Sequence, residues 1–180
     1  MKLSVPYYSQ WKDITDTDWQ IRSCGLLCLY SILKFYKSGF NLSPDQFLQK
    51  AVEEGAFGKS GWIHDKLVNL SHEMGVPAER MEFRGKTDQE TESLTKQAFR
   101  QFIKSILGGK LIIISTIRNW REKDKFHQVL LVGFEGTLDT PMGWYVHDPD
   151  AKSEVEGAYQ YIPHETLKNG FRGLAIFVGL

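Results

Sequence analysis

A cysteine, a histidine, an aspartate and a glutamine in this chain have the types and order needed for acyl transfer through a thioester. The cysteine is Cys24, in Ser23-Cys24-Gly25-Leu26-Leu27-Cys28-Leu29-Tyr30-Ser31-Ile32-Leu33-Lys34-Phe35-Tyr36. After Gly25 only Ser31 and Lys34 interrupt the apolar run, which predicts a helix buried on nearly every side. Ser23 stands where a cap belongs, so Cys24 falls in the first turn. There the helix macrodipole favours negative charge and hence a thiolate. A lone cysteine is more often a small core hydrophobe, which is how Cys28, one turn further on, is read. To act as a nucleophile Cys24 needs a base, and the base needs an orienting group.

Five histidines are available. His64 and His72 fall on a predicted surface helix, where solvation is the default role. His127 opens an apolar strand, Phe126-His127-Gln128-Val129-Leu130-Leu131-Val132-Gly133-Phe134, and the next strand, Gly143-Trp144-Tyr145-Val146-His147-Asp148-Pro149, returns after a loop. A hairpin of these two places His127 and Asp148 near one rung, within a few residues at about 3.4 Å each. The expectation is that the Asp148 carboxylate holds the Nδ1 proton and leaves Nε2 for the thiol. A tetrahedral oxyanion would be stabilised by the backbone N–H of Cys24 and by a side-chain amide upstream. Gln10 and Gln20 both qualify. Gln20 lies only four residues before the thiol, whereas Gln10 follows a strand-like anchor and has a loop to fold back with, so Gln10 is favoured.

The elements that must position these groups follow from periodicity and breakers. Val5 to Gln10 reads as a short extended segment with Pro6 near its start. Asp13 to Gln20 is a polar loop, and Gly39 stops the buried helix. Ser43-Pro44-Asp45 starts a second helix over Pro44 to Val52. Gly55 to Gly61 is a loop. Ile63, Leu67, Leu70 and Met74 mark a third helix closed by Gly75, and Leu94, Ala98, Phe102, Ile103 and Ile106 a fourth closed by Gly108-Gly109. Between these two helices, Val76 to Phe83 is a strand and Gly85 to Thr91 a loop. Leu111 to Ile117 is a β-branched buried strand. Arg118 to Lys125 is a charged loop holding Trp120, either a wall of the cleft or a solvated loop with one anchoring ring. Further strands follow at Gln128 to Phe134, Trp144 to His147, Tyr159 to Ile162 and Leu174 to Val178. Helices first and a mostly antiparallel sheet after them is an α+β pattern, and residues 1–180 are expected to form a single domain.

Composition excludes several classes. With 22 basic and 22 acidic residues the formal net charge is zero, which argues against a nucleic-acid or anionic-membrane partner and hints at no charged substrate. No apolar run approaches the roughly 18 residues of a membrane span, and no signal-peptide pattern opens the chain. Two cysteines four apart on one helix cannot pair, so a reducing, cytoplasmic location is expected. Gly58-Lys59-Ser60 lacks the spacing of a phosphate loop. His64, Asp65 and His72 lack a metal-ligand pattern. No cofactor or metal is expected, and the oligomeric state is not legible.

The Cys24-Gly25-Leu26-Leu27-Cys28-Leu29 segment, continuing to Ile32 and Tyr36, resembles the C-G-x-x-C-L segment of the bacteriocin-processing double-glycine peptidases, cysteine peptidase family 39. His127 to Phe134 is similar to that family's histidine strand, and Tyr145-Val146-His147-Asp148-Pro149 to its strand ending in Asp-Pro. Val5-Pro6-Tyr7-Tyr8-Ser9-Gln10 is like the start of stand-alone, peptidase-C39-like relatives. The resemblance implies a papain-like cysteine peptidase fold, with N-terminal helices on a C-terminal sheet. It also implies Cys24 as nucleophile, His127 as base and then acid, Asp148 as the residue orienting it, and Gln10 at the oxyanion. The implied substrate is a peptide or amide bond cleaved by water. The alternatives are acyl or peptidyl transfer at the same site, and a non-catalytic peptide-binding member of the fold.

Overall fold

The computed structural model describes residues 1–179. Helix α1 (Thr17–Gln20) is a single turn, and α2 (Cys24–Tyr36) is the buried helix, with every residue from Gly25 to Leu33 out of solvent. Helix α3 (Pro44–Glu53) begins with a complete capping box between Ser43 and Gln46. A two-residue ladder, β1 (Phe57–Gly58) with β2 (Gly61–Trp62), leads into α4 (His64–Glu73) and β3 (Ala78–Glu82). Helix α5 (Asp88–Leu107) precedes β4 (Leu111–Arg118), β5 (Glu122–Gly136) and β6 (Pro141–His147). Short helices α6 (Glu154–Gly157) and α7 (His164–Gly170) flank β7 (Gln160–Pro163), and β8 (Phe171–Val178) closes the described chain.

Six strands form one antiparallel sheet in the order β3-β8-β4-β5-β6-β7. Its side chains alternate between two cores. Leu111, Ile113, Leu130, Val132, Ile176 and Val178 pack with α2, α3 and α4. Ile112, Ile114, Val129, Leu131, Ala175 and Phe177 pack with α5 on the opposite face. Burial on both faces explains why Leu111 to Ile114 reads as an unbroken apolar run rather than an alternation.

Several local expectations change. Helix α5 starts at Asp88, because Thr87 accepts a hydrogen bond from the Glu90 N–H, so the last part of the expected Gly85–Thr91 loop is helical. Strand β5 starts at Glu122, which shrinks the expected Arg118–Lys125 loop to a tight turn with Asn119 and Trp120 at φ 52° and 59°. Trp120 packs on the core beneath α5, the anchoring role of the two considered. Val5 to Gln10 joins no ladder. It is laid along the sheet by Leu3 N–H to Val132 O (2.8 Å), the isolated bridge of Lys2 with Gly133, and Gln10 N–H to Pro149 O (2.9 Å).

The same strap buries His147, whose ring meets Tyr7 and Tyr159 edge-on at 5.6 and 4.5 Å. Burial pulls its pKa down to about 4. The unfolded chain binds that proton near pH 6.5, so the contribution of a neutral His147 is complete above 6.5 and is lost as pH falls through about 4. The loss should reach roughly 2 kcal/mol by about pH 4.5, and His147→Phe should flatten this acid limb in urea melts at the two pH values. An unchanged pH slope in the variant would refute the assignment.

Candidate active site

Cys24 is the first residue of α2 and is partly exposed, while Cys28 is buried with its thiol directed at Gln128 O (3.7 Å). Burial pushes the Cys28 thiol well up, which suits the packing role expected of it. Ser23 precedes the helix but does not cap it, contrary to expectation. Its hydroxyl donates to Trp19 O (2.7 Å), leaving the first-turn N–H groups unclaimed by Ser23. Gly25 is required by close approach, since a Cβ there would stand 1.8 Å from Gln128 Oε1.

His127 sits inside β5 rather than at its mouth, paired across the ladder with Thr116. On the β6 side Leu130 pairs with His147, with a register shift between Leu131 and Gly133. The Asp148 carboxylate leaves the end of β6 close to the imidazole and accepts a 2.6 Å hydrogen bond from it. The nitrogen donating that bond is Nε2, so the expected ring orientation is reversed and Nδ1 is left for the thiol. Burial opposes a charged His127, but the hydrogen bond to Asp148 and the nearby Cys24 thiol outweigh it and raise the pKa to about 10. Burial likewise opposes ionisation of Asp148, yet His127, the Asp150 N–H and Arg118 hold its carboxyl below the usual range. The two shifts agree on an imidazolium–carboxylate pair at neutral pH.

The two candidate glutamines separate. Gln20 folds into its own loop, donating to Ile14 O (2.9 Å) and Trp11 O (3.4 Å). Gln10 is buried and lines the same cavity as Cys24 and His127. Its Nε2 donates to Asp150 Oδ1 at 2.6 Å, while its Oε1 is buried without a partner. Asp150 is in turn gripped by Arg118, whose Nε and Nη2 both reach Oδ2 at 2.6 Å. The Asp150 N–H also donates to Asp148 Oδ1 (2.9 Å). One residue thus ties the imidazole's carboxylate to the glutamine amide. The second aspartate of Asp148-Pro149-Asp150 was the available signal for it.

On the other side of Cys24 a cleft of about 570 Å³ opens between β1, β2 and the sheet, with Phe57, Trp62, Ile63, Phe126 and Leu174 among its walls. His64 lies in this cleft and not on a solvated face, a correction to its expected role. Its Nε2 is 2.9 Å from Ser115 Oγ and 3.0 Å from Gln128 Nε2. Burial, then the Arg80 charge, lower its pKa, so it is a neutral group in the cleft wall. His72 reaches only Ala78 O (2.8 Å), far from any ligand set with His64. Gly58-Lys59-Ser60 forms the edge of the cleft, in the turn between β1 and β2.

The architecture is a papain-like cysteine peptidase fold, and solved structures that share it include peptidase domains. A double-glycine-motif protease from an AMS/PCAT transporter, solved with the leader peptide, matches at TM-score 0.60 and 20% identity, over 99% of this chain and 94% of its own. A C39-like peptidase from Bacillus anthracis matches at TM-score 0.63 and 16% identity, over 100% and 98%. The peptidase domain of Streptococcus ComA, a bifunctional ABC transporter of a quorum-sensing pathway, matches at 0.58 and 19%, over 88% and 92%. At such identities the likeness is one of fold. Residues 2–174 match the model of the Peptidase_C39 like family, so the chain belongs to that family and is a cysteine peptidase by class. No curated protein matches the sequence. No helix of the described residues is long and apolar enough to cross a membrane.

Proposed function

We propose that residues 1–180 act as one peptidase domain that hydrolyses a peptide or amide bond through Cys24, His127 and Asp148, with Gln10 at the oxyanion. The observation that carries this reading is the 2.6 Å hydrogen bond from His127 Nε2 to Asp148, on a ring that lines the same cavity as Cys24 and whose pKa the thiol helps to raise. The Cys24 sulfur adds to the substrate carbonyl carbon, and the C=O electron pair moves onto oxygen. The second Gln10 Nε2 proton and the Cys24 backbone N–H stabilise that oxyanion. Collapse re-forms the carbonyl and breaks the C–N bond, and His127 gives its Nδ1 proton to the departing amine. Water then attacks the thioester while His127 takes a proton from it. The Cys24 thiolate leaves, and the carboxylic acid is released.

A peptide substrate is supported by the open cleft beside Cys24 and by the leader peptide bound in the transporter protease. Free thiols at Cys24 and Cys28 suit a reducing compartment, and we place the protein in the cytoplasm.

The test is to trap the intermediate. Mixing the protein with a p-nitrophenyl ester should give a burst of nitrophenolate and an acyl mass addition mapped to Cys24. Neither should appear with Cys24→Ala. Acylation elsewhere, or none, would sink the reading. Adding a small amine to the turnover reaction then separates hydrolysis from transfer by product mass.

A further inference from the structure

The chain carries 22 basic and 22 acidic residues, but the cleft beside Cys24 does not share that balance. Arg22, Lys59, Arg84 and Arg172 line it, and none of its lining residues is acidic. Two of these cations are held in place. The Arg172 guanidinium lies 3.9 Å over the Phe126 ring, and its Nη1 donates to Lys123 O (3.2 Å). Its Nε is buried, and no acceptor among the described residues meets it. The Arg84 stem crosses Gly173, whose φ of +73° and missing Cβ permit the approach, since a Cβ would stand 2.7 Å from Arg84 Cγ. Arg84 Nε then donates to Arg172 O (2.8 Å), and its nearest carboxylate is the exposed Glu82 at 3.7 Å.

A guanidinium preorganised on an aromatic face, with Nη donors beyond the one bond to Lys123 O left for a ligand, is built to receive a planar anion. Phe126 is itself 63% exposed, and Trp62 and Leu174 continue the apolar wall toward the thiol. We propose that Arg172 and Arg84 form a carboxylate-binding subsite of this cleft, which selects peptides bearing an acidic residue among apolar neighbours close to the bond cleaved. This rests on the reading that a peptide occupies the Cys24 cleft. Four basic groups facing one opening, with no acidic group among them, also focus field toward an anionic ligand.

Occupancy can be read by protection of Cys24 from iodoacetamide, followed by peptide mapping. The probes are capped hexapeptides alternating leucine with glutamate, glutamine or lysine. At low salt the glutamate peptide should slow alkylation by about fivefold or more, and the other two should not. Salt at about 0.5 M should weaken the protection. Arg172→Gln should abolish it, and Arg84→Gln should reduce it. An uncapped leucine–glutamine peptide that protects when its capped form does not would assign the same subsite to a chain-terminal carboxylate. Equal protection by glutamate and lysine peptides, or glutamate protection that survives both substitutions, overturns the proposal. The unprotected rates with and without His127→Ala report separately on Cys24 as a nucleophile. Failure of that reading is therefore distinguishable from failure of the subsite.

Discussion

His127→Ala is expected to lower ester hydrolysis by about a hundred- to ten-thousandfold, the range of a lost general base. It should also slow iodoacetamide alkylation of Cys24 toward the rate of a simple thiol. The size follows from the geometry. His127 is buried, donates to Asp148 at 2.6 Å, and shares a cavity with Cys24, whose thiol helps to raise its pKa, so its removal takes away both the proton acceptor and the charge near the sulfur. With its pKa raised to about 10, His127 keeps its proton through neutral pH and gives it up only as pH climbs through that value. The stability that His127 gains from its raised pKa is complete below pH 6.5 and is lost as pH rises through about 10. Asp148→Asn should lose much of the same activity while leaving the thiol in place. Alkylation of Cys24 that proceeds at the same rate in wild type and His127→Ala would contradict the assignment.

Gln10→Ala should reduce kcat/KM by about a hundred- to a thousandfold, the cost of one oxyanion donor. The more informative variant is Asp150→Ala. Asp150 accepts from Gln10 Nε2 and so fixes which end of the amide faces the cleft. With the amide reversed, Oε1 would face the Asp150 carboxylate and, in the cleft, an oxyanion. Releasing this anchor should cost about ten- to a hundredfold in kcat with little change in KM, the scale of a small misplacement near the chemistry. In a Gln10→Ala background the same substitution should cost almost nothing more, because two residues acting through one donor are not additive. Equal costs in both backgrounds would mean that Asp150 acts elsewhere, through Asp148 or through the fold. Arg118→Gln should repeat the Asp150 result more weakly, since it only steadies the carboxylate.

Much of the positioning frame is legible in the chain. The apolar run after Gly25 specifies a helix with one polar end, and the β-branched run from Leu111 specifies a strand covered on both faces. What escapes is set by tertiary contacts. Helical spacing identifies the apolar stripe of α4 but not what covers its first turn, so His64 looks solvated until Ser115 and Gln128 are brought to it. The imidazole edge that meets Asp148 depends on the β5–β6 register shift and on the path out of His147, and neither has a local signature. Ser23 has the identity of a cap, but the one-turn α1 presents the Trp19 carbonyl and takes its hydroxyl. Net charge is a sum over the molecule and carries no information on where charges collect. A neutral total thus hid a cleft whose charged lining residues are all basic.

The strap from Met1 to Gln10 has a consequence in time. Gln10 hangs from Pro149 and Asp150, and the His127 imidazole joins the cavity of Cys24 only after β5 has paired in the sheet. A ribosome that has emitted the first hundred residues has released the thiol and its helix, but neither the base nor the groups that aim the amide. Contacts of such long sequence separation form late, once most of a domain is available. A half-made or locally unfolded copy therefore carries the cysteine without the machinery to use it, and hydrolytic competence arrives together with the finished sheet.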